Sequence, residues 1–419
     1  MSEVRSCDVA VLGAGMVGIS AALHLLKRGR SVVLIDRRGP AEETSYGNAG
    51  ILQSEGVVPY AFPREIGRIV RAGLNMTSEA HVHWRALPVI AGPMRAYWRN
   101  SAPERLARSA RAFAPLAARC IAEHEVLMTE AGTSALLRRT GYLKLYRDPA
   151  ALAKDAADEE AIKRTYGVNY EVIDSEGIGA LEPHITGAFS GGILMPDPVS
   201  VSDPGRLGQS YAALFERLGG HFARGDAMTL EATDNGYRIA IESGTLAARE
   251  AIVALGPWSG DLMQRLGYAL PLFVKRGYHM HYRPVAGSNA TLSRPVIDTD
   301  GGYVLAPMSK GIRLTTGAEF ALRDAPPSPV QLAKVEPLAR RVFPLGERVE
   351  PEPWMGRRPC LPDMLPVIGQ APRHRGLWCD FAHQHWGFTL GPVSGRLLGE
   401  MMTGETPFTD PAPYRLDRF

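Results

Sequence analysis

Cysteine is scarce in this 419-residue chain. The four present, Cys7, Cys120, Cys360 and Cys379, form no Cys-x-x-Cys pair and no metal-ligand spacing, so free, mostly buried thiols in a reducing cytosol are expected. Blocks of like charge are missing as well. Lys and Arg number 47 against 44 Asp and Glu, and no basic tract or basic helix carries the net charge of +3. Nucleic acid is therefore excluded as an expected partner, and only weak attraction to anionic membranes has room. Long apolar runs are almost absent. Residues 9–26 approach the ~18–20 needed for a span. Gly13, Gly15, Gly18 and Ser20 interrupt them, however, and Asp8 stands where a secretory signal is basic. No repeat or low-complexity tract occurs. The expectation is a cytoplasmic chain, soluble or at most peripheral at the inner membrane, and long enough for two domains.

What the chain does have is concentrated in its first forty residues. An apolar strand at 9–12 runs into Gly13-Ala14-Gly15-Met16-Val17-Gly18. An apolar helical stretch at 19–27 follows, with a stop at Gly29 and a second apolar strand at 31–35 ending in Asp36. Strand, glycine turn, helix, strand and acid in this order are the context of a dinucleotide fingerprint. Gly13 permits the tight turn, Gly15 lets the backbone approach a pyrophosphate, and Gly18 lets the helix pack on the strand. The helix start around Met16 and Val17 offers unpaired N–H groups and a partial positive charge to that pyrophosphate. Asp36, with Arg37 beside it, is placed to accept hydrogen bonds from the adenosine ribose.

Residues 37–60 read as a loop region of small and turn-forming residues. Apolar spacing predicts helices over 62–74, 84–99, 103–131, 149–166 and 175–181, with a strand at 140–146. A second α/β pattern follows: a helix over 204–218, strands through 221–249 with a turn at Asp234-Asn235-Gly236, and an apolar strand at 250–255. That strand closes on Gly256-Pro257-Trp258-Ser259, the form a second approach to the nucleotide would take. Strong alternation over 271–320 predicts antiparallel strands of a separate sheet. A helix over 326–343, a strand over 376–381 and a helix over 393–402 complete the chain. The predicted fold is α/β: a discontinuous Rossmann-like domain (1–85, 184–268 and 346–419) with an inserted α+β substrate domain built on an antiparallel sheet (86–183 and 269–345).

Four motifs, in order, carry a resemblance. They are the fingerprint with Asp36; Thr44-Ser45-Tyr46-Gly47-Asn48-Ala49-Gly50, continuing into Ile51 and Leu52; Ala254-Leu255-Gly256-Pro257-Trp258-Ser259; and a C-terminal pair. The pair is Trp354–Pro359 with Pro362–Gly369, and His383-Gln384-His385-Trp386-Gly387-Phe388-Thr389-Leu390-Gly391-Pro392. With these the chain resembles, over nearly its whole length, the FAD-dependent D-amino-acid oxidase superfamily of glycine oxidase, sarcosine oxidase and D-amino-acid dehydrogenase. It looks most like the bacterial D-amino-acid dehydrogenase branch. The resemblance implies FAD as cofactor, amino-acid catabolism, and a quinone or other carrier as electron acceptor. The alternative it leaves is a glycine- or sarcosine-type oxidase that uses oxygen. The run around His383 and His385 is similar to enzymes acting on D-hydroxyproline or D-proline. Sarcosine-oxidase relatives attach FAD through a cysteine; here Gly356 stands at that position, so FAD is expected to be non-covalent. The family usually has glycine where this chain has Ala382, a departure that bears on the local backbone.

The implied reaction passes the Cα hydrogen of an amino acid as hydride to flavin N5, for which no base at Cα is needed. A substrate carboxylate calls for a planar guanidinium, and Arg358 matches the family position for it, with Arg357 as its competitor. Tyr278 and Tyr303 are candidate hydrogen-bond partners of the substrate. His383 and His385 make no zinc site by themselves; a place beside the flavin or substrate is expected, His383 first. Gly387, Phe388, Thr389 and Leu390 open a helix whose N–H groups face negative charge on the reduced flavin.

Overall fold

The structure is a computed structural model and describes residues 6–419. The fingerprint strand Ser6–Leu12 is central, flanked in parallel by Val32–Asp36 and Gly244–Val253. His221–Arg224 extends the sheet on one side and Leu377–Phe381 on the other, both parallel. Val9 to Leu12 and Val32 to Ile35 are buried, as continuous apolar runs in a sheet covered on both faces should be. The predicted turn at 234–236 joins Glu231–Thr233 to Gly236–Ile241, an antiparallel pair continuing onto the first half of Gly244–Val253.

One face of this sheet carries the helices Met16–Leu26, Pro103–Ala131, Pro204–Arg217 and Gly387–Thr403, which pack through Leu23, Phe113, Leu116, Tyr211 and Leu397. The fingerprint helix and the C-terminal helix approach almost to backbone contact. Gly391 and Gly395, four residues apart and so on one face, lie against Met16 and the Ser20–Ala21 backbone; a Cβ at Gly395 would stand 2.7 Å from the Ala21 nitrogen. A methyl there forces the helices apart, at an overpacking cost of about 1–3 kcal/mol. This contact sets the two helix starts side by side.

The second sheet is built on the long strand Phe273–Pro284, antiparallel to Gly311–Thr315, Ala318–Phe320, Leu345–Arg348 and Trp354–Cys360. It continues through Tyr303–Met308, Val296–Asp298, Tyr142–Tyr146, Gly191–Met195 and Glu171–Ile173. Two junctions are parallel, Val296–Asp298 with Tyr142–Tyr146 and Ala80–Val82 with Ala318–Phe320. Ala80–Val82, Gly191–Met195 and Trp354–Cys360 pair in this sheet although they fall within the stretches assigned above to the nucleotide domain. Sheet membership and that division differ at these strands, and at Leu345–Arg348, which straddles the boundary at 346.

The helices expected over 103–131, 149–166 and 175–181 form over those residues. The one expected from 62 begins only at Ile66, after Pro63, and the one expected from 326 begins at Val330, after Pro326, Pro327 and Pro329. Prolines at these places hold the chain extended. The end of the alternating stretch, expected as one strand over 312–320, forms two, broken at Thr316-Gly317. The short strands Ala80–Val82, Glu171–Ile173, Gly191–Met195 and Val199–Val201 were not anticipated, being too brief to show a period.

Candidate active site

A cavity of about 1280 Å³ runs between the two sheets, from Asp36, Arg37 and Trp258 at one end to Arg358, His383 and His385 at the other. At the first end the sequence motifs do what their chemistry requires. Gly13 turns with φ +110°, and a Cβ there would strike the Ala254 carbonyl. Gly18 makes the close approach of helix to turn, since a Cβ on it would overlap the Gly13 oxygen. Asp36 holds the loop by accepting from the Ala14 and Arg38 amides at 2.8 and 3.0 Å. The Arg37 guanidinium lies over the Trp258 ring, 4.2 Å from its centroid. Gly15, Met16 and Val17 line the cavity at a helix start whose N–H groups have no intrahelical acceptor.

The loop at 44–50 is pinned over that helix start. The Met16 amide donates to Ser45 Oγ at 3.0 Å, the Gly50 amide to Asn48 Oδ1 at 2.8 Å, and Thr44 Oγ1 to the Arg357 carbonyl at 3.1 Å. Arg313, buried, donates to the Asn48 carbonyl and to His281 Nε2. Asn48, Ala49 and Ile51 face the cavity; Gly50 and Leu52 lie behind them, Gly50 at φ +76°. Gly387, Phe388 and Thr389 also face it, with Leu390 in the core beneath, and a Cβ at Gly387 would meet Val17 at 3.8 Å. An elongated cavity, two adjacent helix starts, and an acid at the far end of the second strand fit FAD.

At the second end, adjacent arginines separate. Alternate strand residues point to opposite faces, so Arg358 enters the cavity while Arg357 turns outward, donating to the Arg323 carbonyl at 3.0 Å. The Arg358 guanidinium lies across Gly277, where a Cβ would come within 2.6 Å of Nη2. It donates to the Gly317 carbonyl at 3.0 Å, and among the described residues no carboxylate pairs with it. Around it stand Tyr60, Phe62, Tyr97 and His385, and Lys275, which donates to the Tyr97 hydroxyl at 2.9 Å. Burial, then Arg358 and Lys275, pushes the pKa of His385 down and keeps it neutral.

Of the two tyrosines, Tyr278 differs from expectation. The Tyr278 ring lines the cavity, but its hydroxyl is committed: it donates to Glu319 Oε2 at 2.9 Å and accepts from the Ser328 amide at 2.8 Å. Arg276, wholly buried, holds the same Glu319 at 2.6 Å. Tyr278 is thus part of a closed network rather than a free donor to substrate. Tyr303 lines the wall beside Asp298, with its pKa raised by burial and by that carboxylate. His383 is buried against the start of the C-terminal helix with Nε2 3.3 Å from Asp380 Oδ1. Asp380 has its pKa raised by burial, which His383 opposes. The sequence reading passed over Asp380, and its one signal was an acid inside an otherwise apolar strand. Lys275 was passed over too, since a strand lysine ordinarily points to solvent.

Residues 8–401 match the DAO family, described as FAD dependent oxidoreductase. A D-amino acid dehydrogenase of Chromohalobacter salexigens is 30% identical over 98% of this chain and 99% of its own length. A D-amino-acid oxidase of Bradyrhizobium diazoefficiens is 29% identical over 98% of each. Among solved structures, glycine oxidase from Geobacillus kaustophilus superposes with a TM-score of 0.76, covering 99% of this chain and 100% of that one at 22% identity, which bears on the fold.

Proposed function

This chain belongs to the DAO family of FAD-dependent oxidoreductases, and from that premise we propose that it is a D-amino-acid dehydrogenase acting on cyclic substrates such as D-hydroxyproline or D-proline. FAD, when bound, supplies the acceptor for the hydride leaving the substrate Cα, and the imine left behind hydrolyses or, if cyclic, persists. The observation that carries the reading is Arg358, a guanidinium in the cavity with one carbonyl partner and, among the described residues, no carboxylate. It presents the fork that grips a substrate carboxylate bidentately. Tyr60, Phe62, Tyr97 and the neutral His385 surround the space beside it with faces suited to a saturated ring. The first turn of the C-terminal helix offers N–H groups toward the cofactor, and His383 and Asp380 are buried together in the segment leading into it. Non-covalent FAD is supported by Gly356 and by Cys360, whose thiol burial holds protonated.

The test is anaerobic bleaching of the bound flavin by a panel of D-, L- and N-methyl amino acids, with D-proline and both hydroxyproline epimers. Fastest bleaching by a cyclic D-amino acid is expected; faster bleaching by glycine or sarcosine overturns the reading. The likeness to a protein named D-amino-acid oxidase favours oxygen as a second acceptor. Peroxide formed in air, set against dye reduction under argon, separates the two.

A further inference from the structure

Nine of the sixteen large apolar side chains most exposed in the described chain fall between residues 60 and 98, so they form a surface rather than a scatter. Helix Ile66–Gly73 has no buried residue. Ile66, Val70 and Leu74, spaced by four and therefore on one side, are 78%, 51% and 56% exposed. Trp84, 61% exposed, continues this face, because its indole N–H donates to the Gly73 carbonyl at the helix end at 2.9 Å. Leu87 and Val89 extend it onto the next helix, Leu87–Asn100. A contiguous exposed apolar face of this kind marks an interaction site.

Charge identifies the partner. Residues 64–99 hold six arginines and two glutamates, a net of +4, which leaves −1 for the rest of a chain whose total is +3. Arg68 pairs with Glu79, whereas Arg71, Arg85, Arg95 and Arg99 have no salt-bridge partner among the described residues. A second copy on this face would set two such positive surfaces against each other. An anionic bilayer complements it: apolar side chains enter the acyl boundary, Trp84 and Trp98 sit at headgroup depth, and the arginines meet phosphates. Among the described residues no helix is long and apolar enough to cross a membrane, and contact through this face would lie in the interface plane.

We propose that residues 64–99 form the face by which this enzyme docks on an anionic lipid bilayer, bringing the cavity wall against the membrane so that a lipid-soluble electron acceptor enters without crossing water. The inner sides of the same two helices, through Ile69, Ala72, Ile90 and Met94, line the cavity. The partition of an apolar acceptor from the bilayer then needs only the parting of these side chains. The proposal rests on the dehydrogenase reading for what docking serves, while docking itself is measured without substrate.

The test is flotation of the FAD-loaded enzyme with vesicles of phosphatidylcholine alone or with a third phosphatidylglycerol, at low and high salt. Binding to the anionic vesicles only, reversed by salt, is expected. The variant I66S/V70S/L74S changes exposed residues outside the cavity and is expected to lose at least about tenfold in vesicle affinity, with unchanged reduction of a soluble dye. Equal flotation of the variant, or no flotation of the parent on anionic vesicles at low salt, overturns the proposal. So does a parent dimer that the triple variant converts to monomer, which would assign the face to a second copy. Failure to bleach with any amino acid would instead defeat the dehydrogenase reading and leave the flotation result standing.

Discussion

Arg357 and Arg358 are neighbours in sequence and lie on opposite faces of strand Trp354–Cys360, the first hydrogen-bonded to the Arg323 carbonyl near Trp258, the second spread over Gly277 inside the cavity. Only the second can meet a substrate held there. Arg358→Ala, and to a lesser degree Arg358→Lys, should raise KM by about 100-fold, the worth of a bidentate charge-assisted pair, with FAD still bound. Arg357→Ala should leave KM within about twofold. Steady-state dye reduction with the best amino acid measures both, and an Arg358→Ala enzyme with ordinary KM removes the assignment.

Ala382 adopts φ +64°, in the left-handed region. A residue with a Cβ pays about 1–2 kcal/mol there, and glycine does not. Ala382→Gly should raise the thermal midpoint by about a degree, because the strain relieved exceeds the ~0.8 kcal/mol that one methyl buried in the core contributes. A fall in Tm would show that the packing of this methyl outweighs its backbone strain.

Gly387 stands where the C-terminal helix meets the fingerprint helix, and a Cβ there already touches His383 and Val17 at 3.6 and 3.8 Å. Anything longer than alanine must enter the cavity. Gly387→Leu should therefore cost FAD occupancy, read as the ratio of flavin to protein absorbance in the purified enzyme. Full flavin content in that variant refutes the placement.

His124 is buried, with Nε2 2.9 Å from the Phe388 carbonyl and Nδ1 3.0 Å from the Tyr211 hydroxyl. Because the carbonyl only accepts, Nε2 carries the proton and the ring is neutral. Burial lowers its pKa from 6.5 to about 4. Folded, it binds fewer protons than unfolded across that window, so stability is intact above pH 6.5 and is lost as pH falls toward 4. His281, lowered to about 4, adds to the same slope. His124→Gln retains an amide donor for Phe388 and does not titrate, so its thermal midpoint should fall less between pH 7 and pH 4.5 than the parent's. Superimposable pH profiles would exclude His124 from this role.

Much of this molecule is local in origin. Gly13, Gly15, Gly18 and Asp36 lie within twenty-four residues, and their spacing dictates a strand, a turn, a helix start and an acid wherever the segment folds. That is why the nucleotide end was legible in the sequence, together with the family and its cofactor. Helices with a clear apolar period were legible for the same reason, and the two whose expected first turns hold Pro63 or Pro326, Pro327 and Pro329 begin later, at Ile66 and Val330. What sequence could not decide depended on which side a strand presents and on what residues far along the chain arrive beside it. Arg358 rather than Arg357 faces the cavity because Lys275 and Gly277 sit across the ladder from that strand. Tyr278 is withheld because Glu319 and Ser328, some forty to fifty residues later, claim its hydroxyl. Periodicity and motif spacing report the chain's own geometry over a few turns; the fate of a polar side chain is set by long-range pairing, and only the tertiary structure fixes that.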